Sequence, residues 1–323
     1  MAQWLLNRLF DTKDQPEPRF AFQGTVNWMR ALSCLVENGS FSDAKIKAHY
    51  QSVSRRKTNH EADTLVFENM MMAFHNQASL VRLHEDIAHP YDVCRSAIIS
   101  WYYSTYFTCS AMIAAASGAK QETHAHTAKV WQSDIVDAGL IMSPFSPSLS
   151  CLVEKVMESE IATYRCGNKH DLSKYSENDE EAWGAVVSYL KGTGDYEKWR
   201  IERRVKDSRE FKTLGVDNFR TKEARVLRDT QLAKNGVNYL IQAFRYRGKA
   251  NYRDSIFLSY GSDNSEKIKT FLQDLEKVSR TFQRMAAFYL SRRVEKDTWS
   301  DFIADLNANS RLSLETQYLE VLI

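Results

Sequence analysis

Three pairs in this sequence place an arginine before a histidine, with four to six residues between them. Arginine can hold a phosphate with a permanent positive charge, and histidine can transfer a proton near neutral pH. A site that cleaves a phosphodiester needs both functions. The pairs are Arg55/His60, Arg82/His89 and Arg165/His170. A chain with 8 His and 23 Arg is expected to contain such pairs by chance, so the spacing alone identifies no site.

The surroundings favour Arg165 and His170 as the candidate catalytic pair. An amphipathic helical pattern ends at Arg165, and Gly167 and Asn168 are typical of a helix C-terminus or a turn. We therefore expect a bend that presents both side chains to solvent. Arg55 instead lies in a basic stretch that resembles a surface loop.

We predict no metal site and no cofactor. His84 and His89 are five residues apart, whereas an H-E-x-x-H zinc motif needs four so that both histidines share one helix face. The 5 Cys are scattered and contain no C-x-x-C pair, which favours a reducing, cytoplasmic location. No uncharged apolar segment is long enough to cross a membrane, so we expect a soluble protein.

Positive charge is concentrated in one segment. The net charge is +2, but residues 198–253 contain 16 Lys and Arg against 6 Asp and Glu, which leaves the rest of the chain negative. This asymmetry indicates an anionic partner, RNA or possibly DNA, although solvated helix faces would give the same pattern. Aromatic residues alternate with basic ones over 243–260. This pattern is typical of a surface that contacts phosphates and stacks bases, and equally of an ordinary interface inside the protein. The candidate nucleic-acid-binding residues are Arg220, Lys222, Arg225, Arg228, Arg245, Arg247, Lys249 and Arg253.

The sequence predicts an all-α protein. It contains only 12 Gly and 5 Pro, and its apolar residues recur at helical spacing without sustained alternation. Small residues between Ser96 and Ser110 should let another helix, from this chain or a second copy, approach closely. Lys191-Gly-Thr-Gly194 is typical of a helix end. We therefore predict an N-terminal helical arm (1–64), a helical domain (65–194) and a basic helical C-terminal domain (195–323).

The order of elements from about Leu65 to Leu190 resembles the HEPN family of helical domains, many of which are RNases. The pattern is a long helix, a helix with Arg95-x(5)-Trp-Tyr-Tyr-Ser-x-Tyr-Phe, a His-containing connection, another helix and Arg165-x(4)-His170. The resemblance implies a helical bundle and a metal-independent endoribonuclease of a toxin or phage-defence system. It also implies a homodimer, or a subunit of a larger complex, with a composite site. His170 would then transfer the proton of a ribose 2′-hydroxyl and Arg165 would stabilise the charge on phosphorus.

Two other functions remain open from the sequence. The protein could be a non-catalytic helical subunit that binds nucleic acid or protein through residues 198–253, or a structural subunit. Residues 196–323 lie outside the resemblance and do not decide between these functions.

Overall fold

The computed structural model describes residues 4–9, 18–39, 41–85, 88–165, 171–251, 256, 258–259 and 263–321. The described residues are helical and contain no β-strand, so the predicted all-α fold is confirmed. The first helices are α1 (Trp4–Leu9), α2 (Pro18–Glu37), α3 (Asp43–His49), α4 (His60–Glu85), α5 (Pro90–Ser117), α6 (His124–Trp131) and α7 (Glu154–Tyr164). They are followed by α8 (Asp179–Asp207), α9 (Arg209–Thr213), α10 (Lys222–Leu232), α11 (Tyr239–Asn251), α12 (Ser265–Arg293) and α13 (Thr298–Asn309).

Helix α5 is the centre of the main core. It packs against α4, α11 and α12, and its side chains are buried along most of its length. Apolar residues all round a helix are expected where neighbouring helices cover it on every side. Ser104 lies 2.8 Å from Ser279 of α12 through their hydroxyl oxygens, and Gln283 Nε2 donates to the same Ser104 oxygen at 2.8 Å. The small residue Ser104 therefore lets a helix of the same chain approach closely.

The end of α5 follows from its sequence. Gly118 adopts a left-handed conformation (φ 77°), and its N–H donates to the carbonyl of Ala114 at 2.8 Å. This is the usual glycine C-cap. Arg293 of α12 donates to the carbonyls of Ala115 and Ala116, which satisfies two further acceptors at the same helix end.

A second, smaller core lies beside the first. It is formed by α7, α8, α9 and α10, and its buried α8 residues are Val187, Leu190, Ile201 and Val205. Leu149 and Val237 join the segments that lead into α7 and α11 with one antiparallel bridge of two hydrogen bonds (2.7 and 2.9 Å). Because α8 contributes Tyr189 to the main core and Ile201 to the small one, this helix connects the two.

The predicted helix end at Lys191–Gly194 is wrong, because α8 continues through it to Asp207. Gly194 has a packing role instead. A Cβ at this position would lie 2.7 Å from Leu149 Cδ1 and 2.9 Å from Met157 Sδ, so only glycine lets α7 and its leading segment approach so closely. The division at residue 194 thus falls inside a helix, and the main core contains residues of all three predicted parts. The three-part division remains an interpretation of the sequence.

Candidate nucleic-acid interface

Two of the three arginine–histidine pairs have structural partners for their arginines. Arg55 donates to the carbonyls of Ser291 and Val294 at the end of α12. Arg82 forms an ion pair with Glu85 at 2.5 Å. Arg55 is therefore engaged in the fold, whereas Arg82 is an exposed residue whose charge is balanced by Glu85.

Arg165 is the arginine of the remaining pair, and it is exposed. It follows the last residue of α7, and no ion pair joins it to another described residue. The helix end is held in place, because Trp183 Nε1 donates to the Tyr164 carbonyl at 2.5 Å and the Tyr164 hydroxyl donates to the Ser148 carbonyl at 3.1 Å. The backbone next to Arg165 is thus anchored, and the Arg165 side chain faces solvent, as the predicted phosphate contact requires. His170 lies outside the described residues.

The predicted basic residues do not form one surface. Arg220, Lys222 and Arg225 are exposed at the start of α10. Arg228, further along α10, is half-buried, with Asp229 at 2.8 Å, Glu202 at 3.9 Å and the Phe219 ring below its guanidinium. Its charge is therefore engaged within the small core. Arg253 lies outside the described residues.

The cationic side chains of helix α11 contact two different helices. Arg245 and Lys249 are one turn apart and both lie over the ring of Tyr189 on α8. Arg247 points to α5 instead, where it donates to the Tyr103 hydroxyl at 3.0 Å and lies over the Tyr102 ring. The alternation of basic and aromatic residues in α11 thus gives contacts between cations and aromatic rings, which stabilise the helix against its neighbours.

Two exposed aromatic residues and two arginines of α8 form what we call the α8 row: Tyr196, Trp199, Arg200 and Arg203. Their spacing of three, four and seven residues places them on one helix face. Trp199 is 52% exposed and Tyr196 is 41% exposed, and their rings are stacked with centroids 5.9 Å apart and planes at 28°. Arg203 lies over Trp199 and Arg200 lies over Tyr196, at 5.8 and 6.0 Å from the ring centroids.

Carboxylates neutralise only part of this row. Arg200 donates to both oxygens of Glu197 at 2.9 and 3.1 Å. Arg203 forms no ion pair with any described residue. The row therefore combines two partly exposed aromatic side chains with at least one uncompensated cation, which are the residue types that bind bases and phosphates.

Arg245 connects the row to a pocket. Its guanidinium lies over Tyr196 at 4.8 Å from the centroid, and its Nη1 donates to the Thr193 hydroxyl at 3.0 Å. Beside it is a cavity of about 210 Å³, which we call the α8/α11 pocket. Its lining includes Gly24, Ser173, Tyr189, Gly192, Arg245 and Lys249 and, among the described residues, no carboxylate.

His124 lies beside Arg247 in a second cluster between α5, α6 and α11. Its Nδ1 shares a hydrogen bond with the Tyr102 hydroxyl at 2.8 Å, and its ring lies 4.5 Å from that of Tyr106. Burial, and to a smaller extent the charge of Arg247, lower the pKa of His124 below its usual value of 6.5. The imidazole is therefore neutral at physiological pH.

Tyr196, Trp199 and Arg203 are not among the residues predicted from the sequence. The predicted helix end at Lys191–Gly194 separates these three residues from Tyr189 and Gly192. Read as one continuous helix, the sequence places Tyr189, Gly192, Tyr196, Trp199 and Arg203 on one face. That periodicity was the available signal.

Within the described residues, no cluster of three or more His, Cys, Asp or Glu could hold a metal ion, and none of the helices is long and apolar enough to span a membrane. The chain matches no protein-family model, no curated protein and no solved structure. The resemblance to HEPN domains therefore depends on the sequence pattern alone, and the function is argued from the surface itself.

Proposed function

We propose that this protein binds single-stranded nucleic acid, RNA or DNA, through the α8 row. The observation that carries the proposal is the exposed, stacked pair Tyr196 and Trp199, bordered by the guanidinium groups of Arg200, Arg203 and Arg245. Aromatic faces accept any unstacked base, and neighbouring arginines contact the phosphates. A duplex would hide its base faces, so a single strand suits the row better.

The test is fluorescence anisotropy of labelled single-stranded RNA and DNA at several salt concentrations. We expect Trp199→Ala to weaken binding by about 1–3 kcal/mol, the usual contribution of stacking on one ring. Trp4→Ala is the matched control, because Trp4 is also an exposed tryptophan with an arginine, Arg8, over its ring. Equal losses in the two variants would place the binding surface outside the α8 row, whereas no affinity of the wild type at low salt would refute nucleic-acid binding and favour a protein partner.

A second candidate function is the metal-independent endoribonuclease suggested by the sequence. The exposure of Arg165 at an anchored helix end favours it, because a phosphate contact needs an accessible cation. Trp183, which anchors the end of α7, and Trp199 are separated by 16 positions of α8, or roughly 24 Å at 1.5 Å per residue. A single strand on the α8 row would therefore have to extend along α8 to reach Arg165. In this proposal the protein acts as a homodimer or as a subunit of a larger complex, and Arg165 and His170 form the catalytic pair.

The nuclease proposal is tested with single-stranded RNA in the presence of EDTA. We expect products that end in 2′,3′-cyclic phosphate, and a loss of about 10²- to 10⁴-fold when the proton-transfer group is removed by His170→Ala. Arg165→Ala should also abolish cleavage while binding through the α8 row persists. Cleavage that survives both substitutions, or requires a metal ion, would remove this mechanism without affecting the binding proposal.

A further inference from the structure

Helix α11 carries a further exposed aromatic side chain, Phe244. It is 37% exposed and is a member of neither hydrophobic core. Among the residues that the structure describes, the exposed aromatic side chains are Trp4, Tyr196, Trp199 and Phe244. Two of these form the stacked pair of the α8 row, so the position of Phe244 relative to that row determines how far a bound strand could extend.

Arg245 connects Phe244 to the α8 row. Its guanidinium lies over the Tyr196 ring, 4.8 Å from the centroid, and Phe244 is the preceding residue of the chain. At about 100° per residue around the axis of α11, Phe244 lies between Arg245 on one side and Arg247 on the other. Arg245 contacts α8, whereas Arg247 contacts α5. Phe244 therefore lies on the exposed face of α11, between these two neighbouring helices.

Further aromatic rings lie beside Phe244 on the side of α5. The ring of His124 is 5.4 Å from that of Phe244, and the Arg247 guanidinium lies over the Phe244 ring at 5.0 Å from the centroid. The ring of Tyr103 is 6.2 Å from that of His124 and 6.1 Å from that of Phe107. His124, Tyr103 and Phe107 are half-buried. Together these rings form what we call the Phe244 cluster: Phe244, Tyr103, Phe107 and His124.

The charge beside the Phe244 cluster suits a nucleic acid. Arg247 forms no ion pair with any described residue, and its contacts are with the Tyr103 hydroxyl and with aromatic rings, which are neutral groups. Its main role is to hold these rings in position, and its positive charge remains next to them. Bases stack on aromatic rings of any kind, so the cluster offers the same residue types as the α8 row.

We propose that a single strand bound on the α8 row continues across α11 and stacks a further base on Phe244 in the Phe244 cluster. This inference rests on the proposed function of the α8 row. A series of contacts between rings and arginines, from Tyr196 through Arg245 to Phe244, joins the two groups. The protein would therefore bind long single strands more tightly than strands that cover the α8 row alone.

The experiment measures the affinity of the full-length protein for labelled single strands of one repeated base, from about 4 to about 16 nucleotides long, by fluorescence anisotropy. We expect the affinity of the wild type to increase with length beyond the strand that fills the α8 row. Phe244→Ala should lose about tenfold in affinity for the long strands, as expected for one stacked base, and should bind the shortest strand normally. Trp199→Ala should weaken the binding of both.

Two further substitutions test whether the ring of Phe244 is the cause. Phe244→Tyr keeps an aromatic ring and should keep the dependence on length. Phe244→Leu keeps an apolar side chain without a ring and should behave like Phe244→Ala. Met72→Ala, at an exposed apolar position of α4, is the control and should leave the affinity for every strand unchanged.

The outcomes separate this proposal from the function on which it rests. Tight binding of long strands by Phe244→Leu, equal losses on short and long strands in Phe244→Ala, or an equal loss in Met72→Ala would overturn the path across α11. Binding through the α8 row would then remain, provided that Trp199→Ala still weakens it. No binding of any strand by the wild type would overturn both proposals.

Discussion

At the scale of single residues, the charges of this protein have different environments that their sequence positions do not reveal. Arg225 and Arg228 lie three residues apart on α10, yet Arg225 is exposed and Arg228 is paired with Asp229 and Glu202. The basic character of α10 can be read from the sequence, and threonine is a typical N-cap residue. In the structure Thr221 caps α10, because the Ala224 N–H donates to its hydroxyl. The sequence could not predict which arginine is engaged, because the carboxylate of Glu202 comes from another helix.

This difference predicts opposite effects of two similar substitutions. Arg225→Ala should weaken nucleic-acid binding and reduce the salt dependence of the affinity by about one unit of slope, with the melting temperature unchanged. Arg228→Ala should lower the stability by roughly 1 kcal/mol, because a partly buried ion pair and a ring contact are lost, with the slope unchanged. Binding isotherms at several salt concentrations and thermal melts distinguish the two. The reverse assignment of effects would contradict the geometry.

His124 predicts how the stability depends on pH. Its pKa in the folded protein is below the unfolded value of 6.5, so the unfolded state binds a proton more readily between the two values. The stabilising contribution is therefore complete above about pH 6.5 and decreases as the pH falls through this window.

Substitution of His124 should reduce this acid sensitivity. The melting temperature of wild type should decrease from about pH 7.5 to about pH 5.5, and His124→Asn should decrease less. His126→Asn, at an exposed position of the same helix, serves as the control. Burial also lowers the pKa of His49. His49 therefore contributes to the acid sensitivity that remains in the His124→Asn variant. Parallel pH profiles for wild type and His124→Asn would contradict this prediction.

At the scale of helices, a helix end can be predicted from the sequence where local backbone chemistry determines it. It cannot be predicted where packing against a distant segment determines it. Gly118 ends α5 because the glycine supplies the left-handed conformation of the C-cap. Gly194 has the same residue type but lies inside α8, where contact with Leu149 and Met157 outweighs its low helix propensity. A sequence contains no direct record of such a contact between distant segments.

Two glycines of α8 provide a matched test of this interpretation. Alanine should improve the helix propensity at Gly192 and at Gly194 by the same amount, about 1 kcal/mol. At Gly192 the added methyl group meets only ordinary contact, at 3.9 Å from Arg245, whereas at Gly194 it would overlap Leu149. Gly194→Ala should therefore be less stable than Gly192→Ala by about 1–3 kcal/mol, the usual cost of overpacking. Chemical denaturation measures the difference, and equal stabilities would show that α7 moves aside freely.

At the scale of the whole molecule, the sequence predicted the fold class and the positive segment but not how the segment is divided. An excess of cations over 198–253 suggested one binding face. In the folded protein these cations contact different elements. Arg228 lies beside the small core, Arg247 contacts α5, and Arg245 and Lys249 contact α8. Net charge is a property of composition, whereas the direction of each side chain follows from the helix face that the core buries. The candidate surface therefore depends on Tyr196 and Trp199 as much as on the cations.

The position of α8 in both cores has a consequence for hydrogen exchange. The small core has fewer buried apolar residues than the main one, so its local opening needs less free energy than global unfolding. Amides near Ile201 and Val205 should therefore exchange faster than those near Ala185 and Tyr189 in the same helix. The first half of α8 contributes buried residues to both cores, whereas Ile201 and Val205, in the half that carries the α8 row, belong to the small core alone. A strand bound across Tyr196 and Arg203 would link the slowly and rapidly exchanging halves of α8, and should slow exchange most strongly in the second half.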